Sequence, residues 1–453
     1  MKSLRHCFFT RFISPLGGIV MLTICLRAES PVEPPPPPPP TSPPPTMPLA
    51  AVVAEILAND PEIKFYEAEI EAAKIGRRTA ALWNDPEISI EGGRKTVHDE
   101  RGKLQDVGVS WSLSITRTFE WPGRLALRKS IANRDVAMAE LGLARFRHAL
   151  GARARTLAQG LHAADAKAAA VREVADRFEA LKDTFLARDP AGITPLLETR
   201  IIEAGELALR RRATEAALAA QAALIELNQL RGVATDTPLR IAAPYLKLHD
   251  APPPGTLLAA ARENNFDFRI RRLEVEQQGF LVRLARNERY PAISVSPFIS
   301  QDKAGDRETT IGLGLSMPIP VTGRGRHTTA AAESRRRQAE ALMLVAGRDL
   351  EREVLTTARA LATKLAETRR WSPDAVEKFR EAADLADRHY RLGAVPIATY
   401  VEIQNSYLDA VEALLDTQRE VMETGLRLQE LTGLDFNPVN HDPVNPVNKE
   451  PAP

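Results

Sequence analysis

The segment Asn59–Glu91 recurs at Asn264–Ser296, an offset of 205 residues. Pro86-Glu-Ile-Ser-Ile90 falls on Pro291-Ala-Ile-Ser-Val295, Val107–Leu113 falls on Ile311–Met317, and Gly123-Arg124 falls on Gly323-Arg324. An internal repeat of this kind constrains a fold more than any single motif, because both copies must solve the same packing problem. Length alone, 453 residues, predicts about three domains. The repeat replaces that with one body built twice, each copy reading helix, strand pair, long helix, tip, helix.

The strands are legible as period-two alternation. Val107, Val109, Trp111, Leu113 and Ile115 alternate with Gly108, Ser110, Ser112, Ser114 and Thr116. In Thr310–Ile319 the set Ile311, Leu313, Leu315, Met317 and Ile319 alternates with small or polar residues and Pro318. Ile88, Ile90, Ile293 and Val295 begin the same pattern on shorter partners, with polar loops expected over Gly92–Asp106 and Ser300–Glu308. About ten residues, apolar on one face and small on the other, is what a tilted outer-membrane strand requires. Trp111, Phe119, Trp121, Tyr290 and Phe298 are candidate interfacial aromatics. Four strands per chain cannot close a barrel, and an open edge in lipid strands backbone groups. A membrane reading therefore demands oligomers, with eight strands from two chains or twelve from three. The competing reading is a soluble sandwich.

Between Gly123 and Asp189 there is no proline, so one helix of ~100 Å is expected. Its apolar positions Leu143, Leu150, Leu157, Ala164, Val171, Phe178 and Phe185 repeat by seven, as do Val401, Leu408, Leu415 and Met422 in the second half. Such a repeat implies left-handed coiled-coil packing. The second apolar position is often alanine, glycine or charged, as at Arg153, Gly160 and Lys167. A wall of shared helices fits that better than isolated pairs. Gly192 with Pro195, and Gly393 with Pro396, mark where each long helix turns back, the glycines as left-handed caps and the prolines in the next first turn. The returns should run over about Pro195–Leu230 and Pro396–Leu431, and the helices before the strands over about Glu62–Leu82 and Asp267–Glu288. Gly232–Pro254 and the stretch around Thr432–Phe436 should interrupt the helices midway as an equatorial patch.

The two ends differ from the middle. Lys2, Arg5 and Arg11 precede a short apolar run, Phe12–Leu26, which reads as an export signal cleaved after Ala28. A retained anchor and lipidation at Cys25 are the alternatives. Pro31–Pro48 is expected to be an extended polyproline spacer that joins no core, and Asn437–Pro453 a disordered tail. The organisation is thus 1–28 signal peptide, 29–48 linker, 49–241 first repeat, 242–436 second repeat and 437–453 tail. No other apolar run approaches the length of a spanning helix.

Composition narrows the chemistry. Cys7 and Cys25 are the only cysteines, and net charge is +1, so the body holds no disulfide framework and carries no global field for nucleic acid. The histidines form no i,i+4 pair, and no HExxH, GxSxG, P-loop or dinucleotide fingerprint occurs. No enzyme, cofactor or metal site is expected. Glu87 and Glu91 share the polar face of the first strand, where they would face a lumen and tune cation passage or simply wet it.

A signal peptide, a tandem repeat, four short strands and helical hairpins with glycine tips together resemble the TolC-like outer membrane factors, over about Leu49–Phe436. That resemblance implies a mainly α fold with a small β part, in which three protomers form a twelve-stranded barrel on an α-helical tunnel. It implies an outer-membrane location with the tunnel in the periplasm, and as partners a periplasmic adaptor and an inner-membrane pump of the RND type. Thr116–Arg128 is similar to the strand-to-helix joint of the CzcC-like and CusC-like heavy-metal branch. The tips, Gly192, Ile193, Thr194, Gly393, Ala394 and Val395, would dock the adaptor. Tyr390 matches the family's tip tyrosine. Val395 stands where the family has an arginine, and Asp189 or Pro190 stands at its acidic position, which makes Asp189 and Tyr390 the gate candidates. The expected function is a passive conduit in tripartite efflux, its cargo heavy-metal cations, drugs or, in type I secretion, protein. A soluble periplasmic coiled-coil scaffold is the alternative from another class.

Overall fold

We describe a computed structural model of the chain over residues 45–188, 196–242, 250–370 and 375–434. Signal, linker and tail expectations, and with them Cys25, fall outside these residues apart from the last positions of the proline run. Those positions correct the expectation that the run joins no core. Thr46–Met47 (β1) lies parallel to Arg240–Ile241 (β4, the fourth strand in the chain). The N–H groups of Arg240 and Ala242 donate to the carbonyls of Pro45 and Met47 at 3.1 and 3.0 Å. Proline lacks a donor but keeps its acceptor, so a proline-flanked segment still serves one side of a ladder. Pro48 then caps α1, Leu49–Asn59.

The two copies run in parallel order. In the first, α1 leads to α2 (Pro61–Ala80), β2 (Glu87–His98), β3 (Leu104–Phe119), α3 (Arg124–Arg188) and α4 (Leu196–Arg231). In the second, α5 (Pro254–Asn264) leads to α6 (Phe266–Asn287), β5 (Ile293–Ala304), β6 (Asp306–Ser316), α7 (Arg324–Thr368), α8 (Ala375–Arg391) and α9 (Ile397–Thr432). Equivalent residues open equivalent helices: the Asp60 carboxylate accepts from Glu62 N–H at 2.8 Å, and the Asn265 side chain from Phe268 N–H at 3.0 Å. Left-handed glycines stand at equivalent places too, Gly123 and Gly323 before the long helices and Gly232 and Gly433 after the returns.

The first long helix is continuous for 65 residues, as its lack of proline predicts. The second is in two pieces: α7 closes at Arg369, whose N–H reaches the Leu365 carbonyl at 3.0 Å, and α8 begins at Ala375. The intervening sequence contains Pro373, and a proline within a helix removes a donor and is incompatible with the carbonyl four residues back. Pro396 also departs from expectation, standing as the N-cap of α9 rather than inside its first turn.

The wall is ordered α2 and α4, then α3, then α6 and α9, then α7 and α8. Of the seven-spaced positions, Leu150, Val171 and Phe178 on α3 and Leu408 and Met422 on α9 are buried, whereas Leu143, Leu157, Ala164, Val401 and Leu415 are half-buried; on α9 the adjacent series Tyr400, Tyr407, Val421 and Leu428 is buried as well. Leu161, Leu227 and the apolar face of α1 meet Leu239 and Ile241 at the equator. The α5 residues Leu257 and Ala261 do the same against α7 and α9 in the second copy.

The sheet order is β2-β3-β5-β6, all antiparallel, so the copies join where β3 meets β5. The loops shrink as the strands lengthen toward them: β2 and β3 are linked across 99–103, and β5 and β6 turn on Gly305 alone, at φ 79°, while β6 stops at Ser316, short of the expected Ile319. Gly108 is required by close approach, because a Cβ there would sit 1.4 Å from the Lys303 carbonyl oxygen.

Candidate functional site

Two surfaces carry the functional chemistry: the faces of the sheet and the tip of the second hairpin. Strand register sorts side chains onto opposite faces. On one face Ile90, Leu113, Ile299 and Ile311 stand in one row across all four strands. On the other, Glu91, Ser112, Ser300 and Thr310 do. The apolar face is bare: Ile90 is 76 % exposed, Ile311 79 % and Leu315 72 %. A soluble sheet buries this face and leaves the polar one wet, so the arrangement is inverted relative to a water-soluble sandwich.

The helix end of the apolar face carries an aromatic cluster. Trp121 and Tyr290 stack at 4.8 Å, and Trp83 meets Phe119 edge-on at 6.4 Å. Phe298, also a sequence candidate for an interfacial anchor, does not join them. Register places it opposite Gly312 on the small, polar face, and its ring fills the space where a Gly312 Cβ would come within 2.6 Å. Beneath the cluster, Arg124 is buried and holds the Asn287 and Tyr290 carbonyls at 3.2 and 2.8 Å, while Arg128 pairs with buried Glu120. These bonds lock the joint between sheet and wall.

Glu87 and Glu91 both stand on the polar face, opposite Thr116 and Ser112, and the Ser112 hydroxyl donates to Glu91 at 3.4 Å. Lys95 follows on the same face, paired with Asp302 on β5 at 2.8 Å and with Glu308 at 3.7 Å.

At the second tip, Gly393 adopts φ 76°, and the Ala394 N–H closes onto the His389 carbonyl at 2.9 Å, ending α8 in a left-handed cap. Gly393 and Ala394 are exposed and Val395 is half-buried. Leu392, which the sequence reading missed, is 80 % exposed. Its signal was its position off the α8 apolar stripe of Ala383, Ala386 and Tyr390. The first tip, with Asp189, Gly192, Ile193 and Thr194, lies outside the described residues. Tyr390 is 6 % exposed and stacks on Tyr400 at 5.2 Å, which in turn meets Phe178. Burial, aided by the Glu198 carboxylate, pushes the Tyr390 phenol up to about 12. Within one protomer Tyr390 is thus a wall residue. Two arginines near the tip are matched inside the protomer: Arg177 with Glu173 and Asp384, both at 2.6 Å, and Arg391 with Asp387 at 2.9 Å.

Among the described residues no group of His, Cys, Asp or Glu side chains is placed to hold a metal ion. No described helix is long and apolar enough to cross a membrane, which says nothing of the sheet.

The model of the outer membrane efflux protein family matches residues 257–434, almost the whole second repeat. Among solved structures, the CmeC outer membrane channel of Campylobacter jejuni is similar at a TM-score of 0.70 and 15% identity, over 85% of both chains. A membrane protein from Pseudomonas aeruginosa is similar at 0.70 and 20% identity, over 85% of this chain and 90% of that one. For the outer membrane protein VceC of Vibrio cholerae the values are 0.64 and 19%, over 85% of this chain and 96% of that one. No curated protein matches the chain. The fold is that of the TolC-like outer membrane channels, and the second repeat carries the family's sequence pattern. CusC is similar as well, at a TM-score of 0.66 and 16% identity over 85% of this chain and 91% of that one, a likeness of fold that does not by itself single out the heavy-metal branch.

Proposed function

We propose that the protein is the outer-membrane conduit of a tripartite efflux system, a homotrimer that performs no chemistry and draws its energy from a partner pump. The observation that carries this reading is the bare apolar face of the sheet. From Val109 to Phe119 along β3 is ten residue steps. At ~3.4 Å per residue and a tilt of ~40° that is a band ~26 Å tall, the height of the apolar belt of an outer-membrane barrel. The free edges support a ring. In the sheet they are β2 and β6, and in the wall they are α2 with α4 and α7 with α8. Exposed Phe65, Leu207 and Leu218 line one wall edge, and Leu342, Leu344 and Phe379 the other. The two edges differ, so contact between copies is head-to-tail and closes only as a ring. Three copies give twelve strands.

In this reading the tips meet a periplasmic adaptor through Leu392, Gly393, Ala394 and Val395, together with Gly192, Ile193 and Thr194. Asp189 and Tyr390 act at the gate, Tyr390 through the packing of α8 on α9 rather than as a lumen plug. Glu87 and Glu91 line the lumen. The cargo proposed is heavy-metal cations, on the similarity of Thr116–Arg128 to that branch; drugs and secreted proteins are the alternatives. Fractionation tests the main claim. Recovery in the outer membrane, released only by detergent as a trimer, is expected, whereas recovery in the periplasm without detergent would leave the soluble scaffold. Loss of metal tolerance on deletion of the gene tests the cargo.

A further inference from the structure

Charge on the four strands is segregated by face. Every carboxylate they contain, Glu87, Glu91, Asp106, Asp302, Asp306 and Glu308, stands on the inward, small-residue face. The apolar face carries no Asp or Glu in any strand, yet it carries Arg94, Arg117, Lys303 and Arg307. Lys95 is the inward exception, and it is neutralised there by Asp302 and Glu308.

Three of the outward cations fall in a single row. Arg94 on β2 is opposite Val109 on β3, Val109 is opposite Lys303 on β5, and Lys303 is opposite Arg307 on β6. The row crosses the whole sheet at the hairpin end of the apolar band. Immediately below it stand Trp111 and Gln301, and then the isoleucine row. Arg94, Lys303 and Arg307 are exposed, and their side chains enter no ion pair or hydrogen bond among the described residues. Exposed cations elsewhere in this chain are commonly paired, as Arg211 is with Glu215 and Arg427 with Glu430. A row of unpaired cations on a lipid-facing surface, with no carboxylate on that face, is therefore a site lacking its counter-charge.

We propose that Arg94, Lys303 and Arg307 form a basic girdle that binds the phosphate groups of anionic lipid headgroups, in the leaflet at the hairpin end of the barrel. The proposal rests on the barrel reading above. Chain chemistry fits it: long Arg and Lys stems lie along apolar surface while their heads reach the headgroup layer, and basic residues at a membrane surface attract anionic lipid. The band height sets the level, since the row stands one belt height from the aromatic cluster at the helix end. The girdle would fix the depth of the trimer in the bilayer, and the inward carboxylates at the same level would remain separate, facing the pore.

The test is native mass spectrometry of the full-length trimer in neutral detergent, titrated with phosphatidylglycerol and, separately, with phosphatidylcholine. Wild-type trimer should retain phosphatidylglycerol in preference. R94Q/K303Q/R307Q should remain trimeric but lose that preference by about tenfold or more, while K95Q, one residue away on the opposite face, should keep it. Equal retention of the two lipids by wild type, or undiminished retention by the triple variant, would overturn the girdle while leaving the barrel standing. A wild-type chain that is soluble and monomeric without detergent would overturn both.

Discussion

Leu361 and Leu313 are the same residue with opposite fates. Leu361, in the helical wall, is fully buried, and Leu313, in the sheet, is 68 % exposed. The contrast runs through the molecule: away from its two free edges the wall packs its apolar groups between helices and wets its charges, while the sheet presents its apolar groups on one bare face and its carboxylates on the other. One sequence plan, written twice, thus meets two solvents. On the proposed reading, water governs the pattern in the helices, and the burial of the sheet's apolar face is left to lipid.

Truncations should separate the two regions most sharply. Leu361→Ala is expected to cost about 2–5 kcal/mol through the cavity it leaves, read as a fall in thermal stability in detergent. Leu313→Ala should cost almost nothing in the same assay, and equal losses would break the contrast. Charge should reverse the order: Leu313→Arg places a cation in the apolar belt at about 2–4 kcal/mol, so membrane-inserted trimer should fall. Ser112→Arg, on the inward face, should insert normally.

The tip and the tie between helices are expected to respond less. Gly393→Val forces a β-branched residue to φ 76° where nothing crowds it. The backbone strain is about 1–2 kcal/mol, with trimers intact and crosslinking to the adaptor weakened; unchanged crosslinking and efflux would count against tip docking. Smallest of all is the tie at Glu412, which pairs with Lys167 of α3 and lies 2.7 Å from Arg212 of α4. Hydrogen bonding to Lys167 holds its carboxyl below the usual value. The tie therefore contributes at neutral pH and is lost as pH falls through that lowered value. The pair is partly exposed and screened, so Glu412→Gln should cost under about 1 kcal/mol, and its difference from wild type should vanish in acid.

Much of this was legible in the residues. The absence of proline from Gly123 to Asp189 foretold α3, and alternation from Val107 to Thr116 foretold a strand with one apolar face. Gly393 announced a left-handed cap. Other features needed pairing information that no single strand carries. Phe298 is out of phase with Ile293 and Val295, so its face was readable from alternation, but only register shows that its ring fills the space beside Gly312. The basic row is likewise invisible until β2, β5 and β6 are aligned. The break between α7 and α8 had a signal in Pro373 that the seven-residue pattern obscured. The ordering of Thr46–Met47 depended on a distant partner, Arg240–Ile241. At the tip, the glycine was readable but the burial of Tyr390 was not, because its stacking partner Tyr400 is on the returning helix.

The central claim, that the sheet's apolar face meets lipid and its small face meets a water-filled pore, is tested most directly by single cysteines introduced from Ile311 to Ser316. These would be labelled in outer membranes with a membrane-impermeant maleimide and compared with the unsubstituted chain. Labelling should alternate, strong at 312, 314 and 316 and absent at 311, 313 and 315. Uniform labelling, or alternation in the opposite phase, would contradict it.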